Sequence, residues 1–103
     1  MYVTVTSAKT SDQPLENATI VAEEMVRWLR GIEGFEGFLM LSQEGRTLGL
    51  SFWDSREAAE RHRVARAQFR ERMLSIADVE VEESSDFVVT FADLGPRLAE
   101  FSR

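Results

Sequence analysis

Residues 47–69 constrain the fold more than any other part of this chain. Leu48, Leu50 and Phe52 alternate with Gly49, Ser51 and Trp53, a period of two that predicts a β-strand. A helix is expected with no linker between. Asp54 supplies a carboxylate at a helix N-cap position, and Glu57, three residues on, is spaced to reach back to the cap's own N–H, a variant of the capping box. Ala58, His62, Ala65, Phe69 and Met73 then recur at steps of three or four, so they share one stripe of a helix running from Ser55 to about Ser75. The only histidine, His62, falls on that apolar stripe rather than among the arginines, so any chemistry is expected near this corner.

The rest of the chain supplies the partners for this unit. Tyr2 to Ala8 alternates, with Val3 and Val5 on one side and Tyr2, Thr4 and Thr6 on the other, which predicts a first strand. Ser11-Asp12-Gln13-Pro14 is a helix-start signal, and Ala18, Val21, Ala22, Met25, Leu29 and Ile32 give the following helix, 14–30, one apolar face. Gly31 and Gly34 are expected to end it. Glu33 to Phe38 reads as a turn into a second strand, 37–42, with Phe38 and Met40 on one face and Leu39 and Leu41 on the other. A strand apolar on both faces is expected to be covered on both sides. Gln43-Glu44-Gly45-Arg46 reads as a hairpin loop with Gly45 at positive φ. Val79 to Phe91 carries the last strand, with a bulge or break expected at Ser84-Ser85-Asp86, and Pro96 to Phe101 is spaced for one helical turn.

The order β-α-β-β-α-β predicts an α+β, ferredoxin-like fold: an antiparallel sheet with both helices on one face. At 103 residues the chain is read as a single domain, a core over 1–91 and a C-terminal tail over 92–103. The open face of its sheet calls for protein cover. A second copy, packed sheet against sheet, is the simplest supplier, so a homodimer is expected.

Charge and composition exclude several functions. A net charge of −6 argues against nucleic-acid binding through the phosphate backbone. Six arginines between 56 and 72 (Arg56, Arg61, Arg63, Arg66, Arg70 and Arg72) read first as a solvated helix face, with Glu57 and Arg61 as an i,i+4 pair, and second as an anion patch. No stretch approaches the length of a membrane span, no signal peptide is apparent, and the expected location is cytoplasmic. The absence of cysteine removes disulfides and thiolate metal sites. The acidic residues Asp78, Glu80, Glu82, Glu83 and Asp86 have no histidine near them and read as charges that discourage edge pairing, not as a metal site.

Two stretches carry a family resemblance: Gly34-Phe35-Glu36-Gly37-Phe38, and Phe52-Trp53-Asp54-Ser55-Arg56-Glu57-Ala58. Together they resemble the antibiotic biosynthesis monooxygenases of the dimeric α+β barrel superfamily. That family has a Pro-Gly-Phe-x-Gly turn before its second strand and a Trp-x-Ser-x-Glu-Ala junction before its second helix. Glu33 replaces the proline here, and the junction matches. The resemblance covers roughly residues 1–91. It implies a homodimer whose sheets close into a barrel, with a pocket in each subunit between helices and sheet. Some members oxidise aromatic polyketides with O₂ and neither metal nor flavin; others degrade haem, oxidise quinols or have no established activity. The haem-degrading pattern does not match. Its first-strand asparagine falls in the region of Thr4, Thr6 and Ser7, its helix tryptophan at His62, and its ligating histidine at Glu71.

With the resemblance, the functional expectation is a cofactor-independent monooxygenase acting on a small aromatic or quinol-like compound. His62, whose ordinary titration range suits general base work, would accept a proton from a phenol or hydroquinone, and Trp53, Phe38 and Phe69 would form an apolar wall. The competing reading is a dimeric ligand-binding or structural module without turnover. In it His62 is a packed histidine and Trp53 and Trp28 are core residues. Tyr2, near the chain end, is read as an interface residue.

Overall fold

The computed structural model describes residues 1–10, 15–63 and 79–101. In chain order the elements are β1 (Tyr2–Thr10), α1 (Leu15–Leu29), β2 (Phe35–Gln43), β3 (Arg46–Trp53), α2 (helical over 56–63), β4 (Val79–Val88) and α3 (Pro96–Phe101). The strands form one antiparallel sheet in the order β2-β3-β1-β4. This is the expected α+β, ferredoxin-like arrangement, with the first and third strands central. Ala65, Phe69 and Met73, the far part of the predicted second-helix stripe, lie outside the described residues, as does Asp78.

Register decides which side of each strand meets the helices. Tyr2 pairs with Trp53 and with Val88, and Thr4 pairs with Ser51 and with Asp86. Phe38 stands opposite Ser51 on the other edge of β3. These residues share one face, which carries the core. Leu29 of α1, Ala58 and Ala59 of α2 and Trp53 of β3 are all buried there, with Met25, Trp28, Ile32, Phe35, Phe38 and Tyr2 packed around them. Tyr2, read as an interface residue, is half-buried and packs against this core on the helix side. The opposite face carries Val3, Val5, Leu39, Leu41, Leu48, Leu50, Phe52 and Phe87, which the same register aligns. Leu39, Leu41 and Phe87 are exposed there in the single chain. The more continuous apolar row of β3 thus points away from both helices, while the face bearing Thr4, Ser51 and Gly49 points toward them.

Local chemistry explains several boundaries. Ser55, not Asp54, caps α2. Its Oγ accepts from the Ala58 N–H at 3.2 Å, and its carbonyl accepts from Ala59 N–H at 3.2 Å. A cap at Ser55 places Glu57 second in the helix, one position short of the reach a capping box needs. The α1 end is closed by short-range bonds, Gly31 N–H to Trp28 O and Ile32 N–H to Leu29 O. Gly34 and Gly45 have positive φ, at 91° and 75°, while Gly31 does not. β2 begins at Phe35, two residues earlier than read from alternation, because a register shift between Phe35 and Gly37 absorbs the turn residues. Ser84, Ser85 and Asp86 pair regularly with β1; the irregularity lies beyond them, opposite Ser7 and Ala8. The helical turn at Pro96 is present, and its residues are exposed.

Candidate functional site around His62

The site is assembled by a contact between two stretches that are distant in sequence. Gly34 accepts a backbone hydrogen bond from Asp54 N–H at 2.9 Å. A Cβ on Gly34 would stand 2.5 Å from Ala58 Cβ and 2.7 Å from Asp54 Oδ1. Only a residue without a side chain lets the turn before β2 lie this close to the β3–α2 junction. The junction residues are in turn fixed by the Ser55 cap, which starts α2 directly above the end of β3.

This start directs His62 onto the sheet. His62 is 7 % exposed, so the stripe position read from sequence holds. Its ring stacks on Trp53 at a centroid separation of 4.8 Å and an interplanar angle of 28°. Trp28 of α1 approaches the same imidazole at 5.9 Å, tilted by 55°. Trp53 is fully buried, donates Nε1–H to Ser51 Oγ at 3.1 Å, and meets Phe35 edge-on at 5.5 Å. Phe38 lies half-buried at the margin of this cluster, its ring 3.4 Å from where a Cβ of Gly49 would stand. Of the four residues singled out, His62, Trp53 and Phe38 thus share one face of the sheet; Phe69 lies outside the described residues.

A polar group that sequence reasoning did not single out borders the cluster. Asp86 of β4 accepts a hydrogen bond from Thr4 Oγ1 at 2.7 Å and holds the Arg63 guanidinium with its other oxygen. Thr4 is fully buried. Its neighbours repeat the pattern, with the Thr6 and Ser84 hydroxyls 3.2 Å apart. Asp86 had been grouped with the acidic edge run, yet it points to the helix side. The available signal was the matching period of two in Thr4–Thr6 and Ser84–Asp86, two polar rows suited to pair across strands. Trp28, read as a core residue, does pack against the core, and its approach to His62 is a contact that helix spacing alone does not show. Of the six arginines, Arg56, Arg61 and Arg63 lie among the described residues and are exposed as expected, with pairs Arg56–Glu60 at 3.3 Å and Arg61–Glu33 at 3.7 Å in place of Glu57–Arg61; Arg66, Arg70 and Arg72 lie outside the described residues. Exposed pairs of this kind contribute little to stability.

Among the described residues no group of three or more acidic, histidine or cysteine side chains is arranged to hold a metal ion. Among the same residues no helix is long and apolar enough to cross a membrane.

A four-stranded antiparallel sheet carrying two helices on one face is the fold of the antibiotic biosynthesis monooxygenases. A Deinococcus radiodurans protein assigned to that group superposes with a TM-score of 0.62 at 19 % identity, covering 91 % of this chain and 97 % of its own. A point variant of SnoaB, a cofactor-independent oxygenase from Streptomyces nogalater, gives a TM-score of 0.69 at 15 % identity over 88 % of this chain and 94 % of its own. The ActVA-Orf6 monooxygenase of Streptomyces coelicolor, solved with nanaomycin D, gives 0.64 at 17 % identity over 91 % of each chain. No family model matches the sequence. No curated protein matches it either. At these identities the likeness defines the fold.

Proposed function

We propose that this protein is a cofactor-independent monooxygenase that oxidises a small aromatic or quinol-like compound with O₂. The observation that carries the reading is the placement of His62, buried on the helix side of a sheet and flanked by Trp53 and Trp28. An imidazole in apolar surroundings suits removal of a phenolic proton, because the phenolate it produces is electron-rich enough to react with O₂ directly. For an anthrone-type substrate the balance closes without a cofactor. The ring CH₂ becomes a carbonyl, one oxygen atom enters the product, and the other leaves as water with the two hydrogens; all four electrons come from the substrate. Trp53 and Phe38 form the apolar wall of this reading, and the neighbours named as oxygenases on the same fold support it.

The second reading, a binding or structural module without turnover, is favoured by one observation. Trp53, on which His62 stacks, belongs to one buried core with Leu29, Ala58 and Ala59. Oxygen uptake with anthrones, naphthohydroquinones and catechols separates the two. The oxygenase reading expects uptake above the spontaneous rate, lowered about 10²- to 10⁴-fold in His62→Ala. Uptake that survives the substitution would keep the enzyme and remove His62 as its base. No uptake with any compound favours the module.

The proposal includes a homodimer formed through the outer sheet face. Leu39, Leu41 and Phe87 are exposed in one chain and aligned with Val3, Val5, Leu48, Leu50 and Phe52. An apolar sheet face of this kind marks an interaction surface.

A further inference from the structure

One row of side chains crosses three strands beneath α2. Ser51 of β3 pairs with Thr4 of β1, and Thr4 pairs with Asp86 of β4. One end of the row holds Trp53 of the stacked pair, and the other holds Arg63, the residue next to His62 in α2. At one end Ser51 Oγ accepts from Trp53 Nε1–H at 3.1 Å. At the other, Asp86 takes the Thr4 hydroxyl on Oδ1 and the Arg63 guanidinium on Oδ2. Arg63 follows His62 directly in the chain, within the same turn of α2. Successive residues of an α-helix are about 100° apart around its axis. Tying Arg63 to β4 therefore sets the rotation of that turn, and with it the direction in which His62 projects. The carboxylate suits this role because its side chain is 14 % exposed and it accepts from two different elements at once.

We propose that Asp86 is a positioning residue for the His62 site: through Arg63 it holds α2 so that the imidazole stays on Trp53. The Ser55 cap fixes the start of the helix, and the Arg63–Asp86 pair fixes it again two turns later. The kinetic consequence rests on the oxygenase reading above; the geometric consequence does not.

The test uses the fact that the chain has one histidine, so its imidazole gives one unambiguous NMR signal. Ring currents from Trp53 and Trp28 displace that signal from the position of a free imidazole. It is read on the basic plateau of its titration in wild type, Asp86→Asn and Arg63→Ala, with cooperative thermal unfolding followed in parallel. The expected result is that the displacement falls most of the way to the free-imidazole position in both variants while both still unfold cooperatively. With a turned-over substrate, kcat should fall about 10-fold or more with KM changed less than about twofold. Arg63, 57 % exposed, keeps the test decisive if Asp86→Asn fails to fold. A wild-type displacement in folded Arg63→Ala would overturn the proposal. So would a displacement lost only together with the unfolding transition, since the pair would then hold the fold and not the ring. Absence of uptake in wild type would remove the oxygenase reading and leave the NMR result to decide the positioning role.

Discussion

Gly34 is the residue on which the two motif stretches meet. Its φ of 91° lies in the left-handed region, and a Cβ there would stand 2.5 Å from Ala58 Cβ. Gly34→Ala therefore combines backbone strain with overpacking against a buried helix residue. We expect a loss of at least about 2 kcal/mol, read as a lower urea midpoint at unchanged slope. The glycine was legible as a helix stop, but its second role was not, because the atom it makes room for belongs to a residue 24 positions later (58 − 34). Thr4 behaves similarly. Thr4→Val keeps the shape and removes the donor to Asp86, which should cost about 1–3 kcal/mol because the part-buried carboxylate oxygen loses its partner. Alternation indicated only which residues of β1 share a face with Thr4; its full burial and its bond to Asp86 required the β1–β4 register.

At the scale of the element, α2 shows what periodicity reveals and where it stops. The stripe through Ala58 and His62 was read from spacing, and both residues are buried. The cap was read one residue early. Asp54 and Ser55 are both good N-cap residues, but with Asp54 N–H given to the Gly34 carbonyl the reciprocal bond to Glu57 that a capping box needs has no donor. Ser55→Ala should cost about 1 kcal/mol, and Asp54→Ala less, in parallel denaturation curves. The reverse order would restore the earlier cap. In β4 the expected break at Ser84-Ser85-Asp86 proves to be regular pairing, since those short polar side chains find partners on β1 that a single strand does not disclose.

For the whole molecule, the main question is what covers the outer face of the sheet. Leu39 and Leu41 are 45 % and 52 % exposed in one chain, in a strand whose other side already faces the core. Replacing both with aspartate should leave the monomer folded and shift sedimentation from dimer to monomer at micromolar concentration. Wild-type protein that sediments as a monomer would count against the barrel. The tail after β4 presents Phe91, Leu94, Leu98 and Phe101 to solvent, at 85 %, 75 %, 61 % and 83 % exposure, so it adds apolar surface rather than covering any.

Element order, the antiparallel α+β class, the inward position of His62 and the apolar character of both faces of β2 were legible along the chain. These follow from spacing along one element, which a period of two or 3.6 encodes directly. Tertiary structure alone decided which face of β3 meets the helices, that Ser55 and not Asp54 caps α2, and that Asp86 joins Thr4 and Arg63 beneath the histidine. Each of those depends on contacts between segments far apart in the chain: strand register for the first and third, the Gly34–Asp54 bond for the second. A side chain's neighbours across a sheet are set by the pairing of backbones, and no residue type carries that pairing within its own segment.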